Sequence, residues 1–158
     1  MPLHRTVSTA AVCLGLAACS SVRLRSPITP AAAPPATFVM TTSDTRTTRV
    51  IDVRDGLSKS AAFRAVSDFL SQKYAVDVSD SHAGFLMTPW QAPIIREGVP
   101  DLRYRTRVIT RFIGDDWKQL SVRVEANWQR GDEWDVGYDS QMLEDAVVEL
   151  RTRIGKKS

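Results

Sequence analysis

Two cysteines and two histidines are all that this 158-residue chain holds of the residue types that build most metal and nucleophile sites. A structural zinc site draws several ligands from those types, and Cys13, Cys19, His4 and His82 are too scattered to supply one. Glycine is scarce as well, with 8 residues and no cluster that would form a phosphate-cradling loop. No apolar run reaches the roughly 20 residues a helix needs to span a bilayer. The formal net charge of +3 leaves no strong electrostatic footprint for nucleic acid, and none is expected as a partner. Asp80, Ser81 and His82 are too close in sequence for the mutual geometry of a catalytic triad. Asp132, Glu133 and Asp135 lack the spacing of a calcium loop. Neither an enzyme nor a metal or other bound cofactor is expected.

What is present begins at the first residues. Met1 to Arg5 is short and basic, Thr6 to Leu16 is uncharged and rich in Ala, Val and Leu, and Leu16-Ala17-Ala18-Cys19 follows. That order reads as a secretory signal over residues 1–18. Its last four residues resemble the lipobox of bacterial lipoproteins: an apolar residue, two small ones, then cysteine. The resemblance implies a diacylglycerol on the Cys19 thiol and cleavage before it. Two acyl chains already give stable anchoring, at about 0.8 kcal/mol per buried methylene. Cys13 is a poor acceptor, because bulky Val12 precedes it. Ser20, rather than Asp, follows Cys19, which in such lipoproteins implies the outer membrane; the domain is expected to face the periplasm. Loss of Arg5 with the signal takes the charge from +3 to +2. It also leaves no free thiol and no disulfide, so packing alone must stabilise the fold.

Residues 19–46 read as the lipidated cysteine and a tether. Pro27, Pro30, Pro34 and Pro35 stand among Ala, Ser and Thr without apolar periodicity, a composition that favours extended, donor-poor backbone. Phe38-Val39-Met40 is its one apolar cluster, either part of a plain spacer or a short ligand strip.

A folded domain is expected over residues 47–158. Arg49 to Val53 is β-branched and ends at the Asp55-Gly56 turn signal. Ser58 caps a helix with Ala62, Phe63, Val66, Phe69, Leu70 and Tyr74 on one stripe. Ala75–Ser79 and Gly84–Gln91 read as two strand pieces or one bent strand, and Pro93 to Pro100 as a loop. The even positions Tyr104 to Phe112 and Leu120 to Trp128 are apolar or Thr, and the odd positions are mostly polar, so both arms have one buried face. Even must pair with even. Pairing 113 with 117 meets that condition and sets Arg105 opposite Glu125 and Arg107 opposite Arg123. Gln129 to Tyr138 reads as a polar loop. Asp139 or Ser140 then caps a helix with Met142, Leu143, Ala146, Val147, Leu150 and Ile154 on one stripe, stopped by Gly155. The fold class is α+β: a single small antiparallel sheet with two helices packed on one face, in the order strand-helix-strands-helix.

Two surfaces are candidates for partner binding. One is the arginine face, Arg103, Arg105, Arg107, Arg111 and Arg123, whose guanidinium forks suit carboxylate or phosphate. Ile109 and Ile113 interrupt it as apolar positions on a wet face. The other is the pair Trp117 and Trp134, large rings assigned to loops.

The signal, the tether and the order of elements together resemble the BamC family, lipoproteins of the outer-membrane β-barrel assembly machinery. The likeness rests on the helix Ser58 to Tyr74, Val76-Asp77-Val78, Gly84-Phe85-Leu86-Met87-Thr88-Pro89-Trp90 and the arginine strand Tyr104 to Phe112, and spans roughly residues 48 to 155. Members carry two helix-grip domains, and this chain has length for one. The resemblance implies a non-enzymatic envelope accessory that binds a protein partner. The alternative from the residues is a periplasmic carrier of a small apolar ligand or lipid between helices and sheet.

Overall fold

A computed structural model describes residues 33–42, 45, 47–96 and 99–156; the expected signal and Cys19 lie outside the described residues. The long even-apolar arms form β7 (Tyr104–Ile113) and β8 (Gln119–Arg130), an antiparallel hairpin at the centre of the sheet. On one side β7 pairs with β4 (Phe85–Met87), which pairs with β3 (Val78–Asp80). On the other side β8 is shared, its first half taken by β2 (Thr48–Asp52) and its second by β9 (Glu133–Asp139). β1 (Phe38–Met40) completes this seven-stranded antiparallel sheet by pairing with β9. A two-stranded ribbon, β5 (Ile94–Arg96) with β6 (Val99–Pro100), occupies the expected loop.

Both helices start and stop where the sequence places them. In α1 (Lys59–Lys73) the Ser58 hydroxyl accepts the Ala61 N–H. In α2 (Ser140–Ile154) the Asp139 carboxylate accepts the Met142 N–H, and Gly155 is the C-cap. Ala62, Val66, Phe69 and Leu70 of α1 are buried in the same cluster as Leu143, Ala146, Val147, Leu150 and Ile154 of α2. Val108, Phe112, Leu120, Val122 and Val124 of the even face belong to it too. The fold is therefore α+β around a single main antiparallel sheet.

Three expectations are corrected. First, the β7–β8 hairpin closes on Ile113 and Gln119, so Arg107 faces Glu125, Arg105 faces Asn127 and Ile109 faces Arg123. The evenness of the pairing holds, but the loop is two residues longer. Trp117 is the reason: it takes a left-handed backbone, φ 54°, and turns its ring inward to stack on Phe112 at 4.5 Å. Burying that ring removes far more apolar surface from water than a tighter turn would.

Second, Gln129 to Tyr138 is not a loop. β8 and β9 join through Gly131-Asp132, and Trp134, Val136 and Tyr138 alternate with Glu133, Asp135 and Gly137 along a strand. Third, the sheet begins before Thr47, inside the segment read as tether. Phe38 meets Tyr104 edge to face at 6.0 Å and seals a satellite cluster with Ala126 and Trp128. Gly137 makes room for it, since a Cβ there would collide with the Val39 carbonyl and the Phe38 ring.

Asp139 ties these pieces together. Besides capping α2 it accepts hydrogen bonds from the Tyr104 hydroxyl and the Thr37 hydroxyl, each at 2.7 Å. Burial, then the bond to Asp139, holds the Tyr104 phenol well above the usual tyrosine range. The entry of β1, the cap of α2 and the start of β7 thus share one carboxylate.

Candidate functional site

The odd positions of β7 and β8 form the face away from the helices, and Trp90 is brought over it by the irregular segment after β4. Pro89 has no N–H for a ladder, and the pairing to β7 is carried by neighbouring groups. The Thr88 hydroxyl accepts the Val108 N–H at 3.0 Å, and Gln91 resumes the ladder with Thr106. The Trp90 ring between them lies 4.9 Å from the Arg105 guanidinium and 4.5 Å from that of Arg107. Trp134 of β9 covers Arg105 from its other neighbour strand at 4.3 Å. Arg105 thus contacts two indoles, an arrangement favoured by the ring quadrupole and the weak hydration of guanidinium.

The arginines expected to form one open cationic face behave differently from one another. Arg107 and Arg123 both bond Glu125, at 2.6 and 2.7 Å, so the three side chains form a cluster with one surplus positive charge. Arg103 pairs with Asp101 and lies over the Trp128 ring, at the end of the strand. Arg105 Nε is buried without a hydrogen-bond partner among the described residues. Arg111 is exposed and lines a separate concavity with His82, Ile113 and Trp117. The face is accordingly half covered rather than evenly wet: Arg105, Arg107 and Ile109 are all partly buried.

The two tryptophans part company as well. Trp117 is 8% exposed and belongs to the core, so it is removed from the docking surface. Trp134 stands on a strand and is 36% exposed, and Val136, next on the same face of β9, is 59% exposed. Sequence reasoning missed Val136 because the acidic residues around it disguised the strand; the period of two through 134, 136 and 138 was the available signal. Of the loop acids, Glu133 and Asp135 are absorbed into that strand, where Asp135 pairs with Arg130 at 3.3 Å, and Asp132 stays in the turn before it. The Asp80 carboxylate accepts the backbone N–H groups of His82 and Ala83, which hold it below the ordinary aspartate range, and it does not engage the imidazole in a triad.

No family model matches the chain, and no curated protein matches its sequence. The functional reading therefore rests on the residues themselves.

What the arrangement can do chemically is to bind. Trp134 and Val136 form an apolar step beside a stacked, partly neutralised arginine ladder. Exposed aromatic side chains next to guanidinium groups are enriched in protein interfaces, and Val136 adds apolar area beside them. The space between sheet and helices is filled by Phe69, Leu70, Leu86, Val108, Leu120 and Val122, each fully buried.

Proposed function

We propose that the chain is a non-enzymatic envelope lipoprotein, held on the outer membrane by lipid on Cys19, whose domain docks a protein partner through β9 and the arginine ladder. The observation that carries the docking half is the pair of exposed side chains, Trp134 and Val136, set beside Arg105 on the outer face. The anchoring half is supported by Leu16-Ala17-Ala18-Cys19. Among the described residues no helix is long and apolar enough to cross a membrane. A role as an accessory of β-barrel assembly, as in the BamC family, is the more specific form of the same reading.

Each half has its own test. Cells supplied with an alkyne analogue of palmitate should label the parent protein, and Cys19→Ser should take up no label at all. Equal labelling of both would place the lipid elsewhere or nowhere. For docking, a photoreactive phenylalanine at position 136 should yield a discrete crosslinked species on irradiation of intact cells. The same residue at position 148, where Val148 is also exposed but lies on α2, should yield none. Equivalent products from both positions, or none from 136, would remove β9 as the docking element.

A further inference from the structure

A second concavity lies on the other side of the molecule's chemistry, between one flank of α1 and the turn joining β3 to β4. It measures roughly 630 Å³ and is floored by Phe63 and the edge of Trp117. Positions 59, 60, 63, 64 and 67 share a helix flank by their spacing, distinct from the buried stripe at 62, 66, 69 and 70. Lys59 and Arg64 line the groove from that flank, and His82 lines it from the turn opposite. The hydroxyls of Ser60, Ser67 and Ser81 complete the rim.

Charge sets the character of this groove. Several basic side chains elsewhere meet acids: Arg107 and Arg123 at Glu125, Arg103 at Asp101, Arg130 at Asp135, Arg153 at Glu149. Here no carboxylate lines the concavity. Among the described residues neither Lys59 nor Arg64 has an ion pair, and the His82 ring has no hydrogen bond. Lys59 instead lies over the Trp117 ring at 5.6 Å. Asp80, beside the groove, accepts the backbone N–H groups of its own turn and acts on His82 only through its charge. Trp117, whose ring forms the floor, is the one non-glycine residue with positive φ among the described residues. Held strain of that kind is often found where a ligand is bound.

We infer that this groove binds a small phosphate ester, with the phosphate held by Lys59, Arg64 and His82 and its hydroxylated carbon skeleton resting on Phe63 and Trp117. A tetrahedral phosphate offers enough acceptor oxygens for the three donor side chains that line the groove, and arginine and lysine bind it as fork and point charge. The volume falls within the range of small-molecule sites, about 300–1,000 Å³. The core beneath is filled, so the ligand rests in the open groove and does not enter between helices and sheet.

Titration calorimetry of the purified protein with glycerol 3-phosphate, at low salt, provides the first arm. Saturable one-to-one binding is expected, with none for glycerol. A Lys59→Gln, Arg64→Gln double variant should weaken it at least about ten-fold, or 1.4 kcal/mol, with an unchanged melting temperature. Arg54→Gln, outside the groove, should bind as the parent does. The second arm uses vesicles of phosphatidylcholine with and without phosphatidylglycerol. Vesicle binding that free glycerol 3-phosphate displaces assigns the ester to a lipid head group; binding of the free ester alone assigns a soluble one. Failure of both probes to saturate, or parental binding by the double variant, overturns the inference.

Discussion

Asp139→Ala is expected to destabilise the domain by about 2–4 kcal/mol, from a lost helix cap and a buried hydroxyl left without its acceptor. The carboxylate is 9% exposed and serves three elements at once. Its Oδ1 accepts the Met142 N–H at 2.8 Å, while Oδ2 accepts the hydroxyls of Tyr104 and Thr37. The first loss unwinds the start of α2; the others leave Tyr104 unsatisfied and loosen the entry to β1. Urea unfolding measures the total, and two further variants apportion it. Thr37→Val removes one donor at the less buried end and should cost less than Tyr104→Phe. In the Asp139→Ala background Tyr104→Phe should cost little or nothing, because the phenol has already lost its partner. Additive costs would show that the two side chains act independently, and a loss below about 0.5 kcal/mol for Asp139→Ala, the scale of an ordinary surface change, would dismiss the shared-carboxylate account.

How much of this was legible beforehand depended on whether a local signal agreed with its tertiary setting. α1 was readable to its cap at Ser58 and α2 to within one residue, Asp139 or Ser140, since both precede clean apolar stripes. β7 and β8 were readable for the same reason: ten and twelve residues of alternation leave no other period. Their register was not. The turn signal Gly114-Asp115-Asp116 invites a short loop, and only the tertiary packing of Trp117 on Phe112 and Phe63 lengthens it. β1 was illegible and β9 offered only the faint period of 134, 136 and 138, because each borrows strand character from its neighbours in the sheet. Phe38-Val39-Met40 is three residues just after a run of prolines, and β9 is acidic at alternate positions.

The candidate site shows the same division. The arginines lie on the outer face as their odd numbering requires, but pairing decides which remain available, and pairing depends on register. Shifting the hairpin by two residues brings Glu125 opposite Arg107 and replaces one attractive and one repulsive pair by a bridged cluster with Arg123. Trp90 and Trp134 then add what a strand-by-strand reading omits, because both arrive from neighbouring segments to cover Arg105.

Gly84→Ala should be more damaging still, lowering stability by about 3–5 kcal/mol, the scale of losing a buried aromatic. Gly84 adopts φ +62°, which an alanine tolerates poorly. An added Cβ would stand 2.7 and 2.9 Å from two atoms of the Trp117 ring and 3.0 Å from Phe112 Cβ. The ring is stacked on Phe112 at 4.5 Å on one side and flanked by Phe63 and Lys59, so any retreat toward the groove gives up that packing. Trp117 must therefore leave its site or drag the β3–β4 turn with it, and overpacking alone costs about 1–3 kcal/mol. A cycle with Trp117→Ala separates the causes. Once the indole is gone the collision vanishes, so Gly84→Ala should then cost only the backbone term, about 1 kcal/mol. Full additivity in that cycle would mean that the glycine serves the turn alone. Strong coupling would mean that Gly84 exists to let a hairpin-loop tryptophan close the end of the core, and with it to lay the floor on which the basic groove stands.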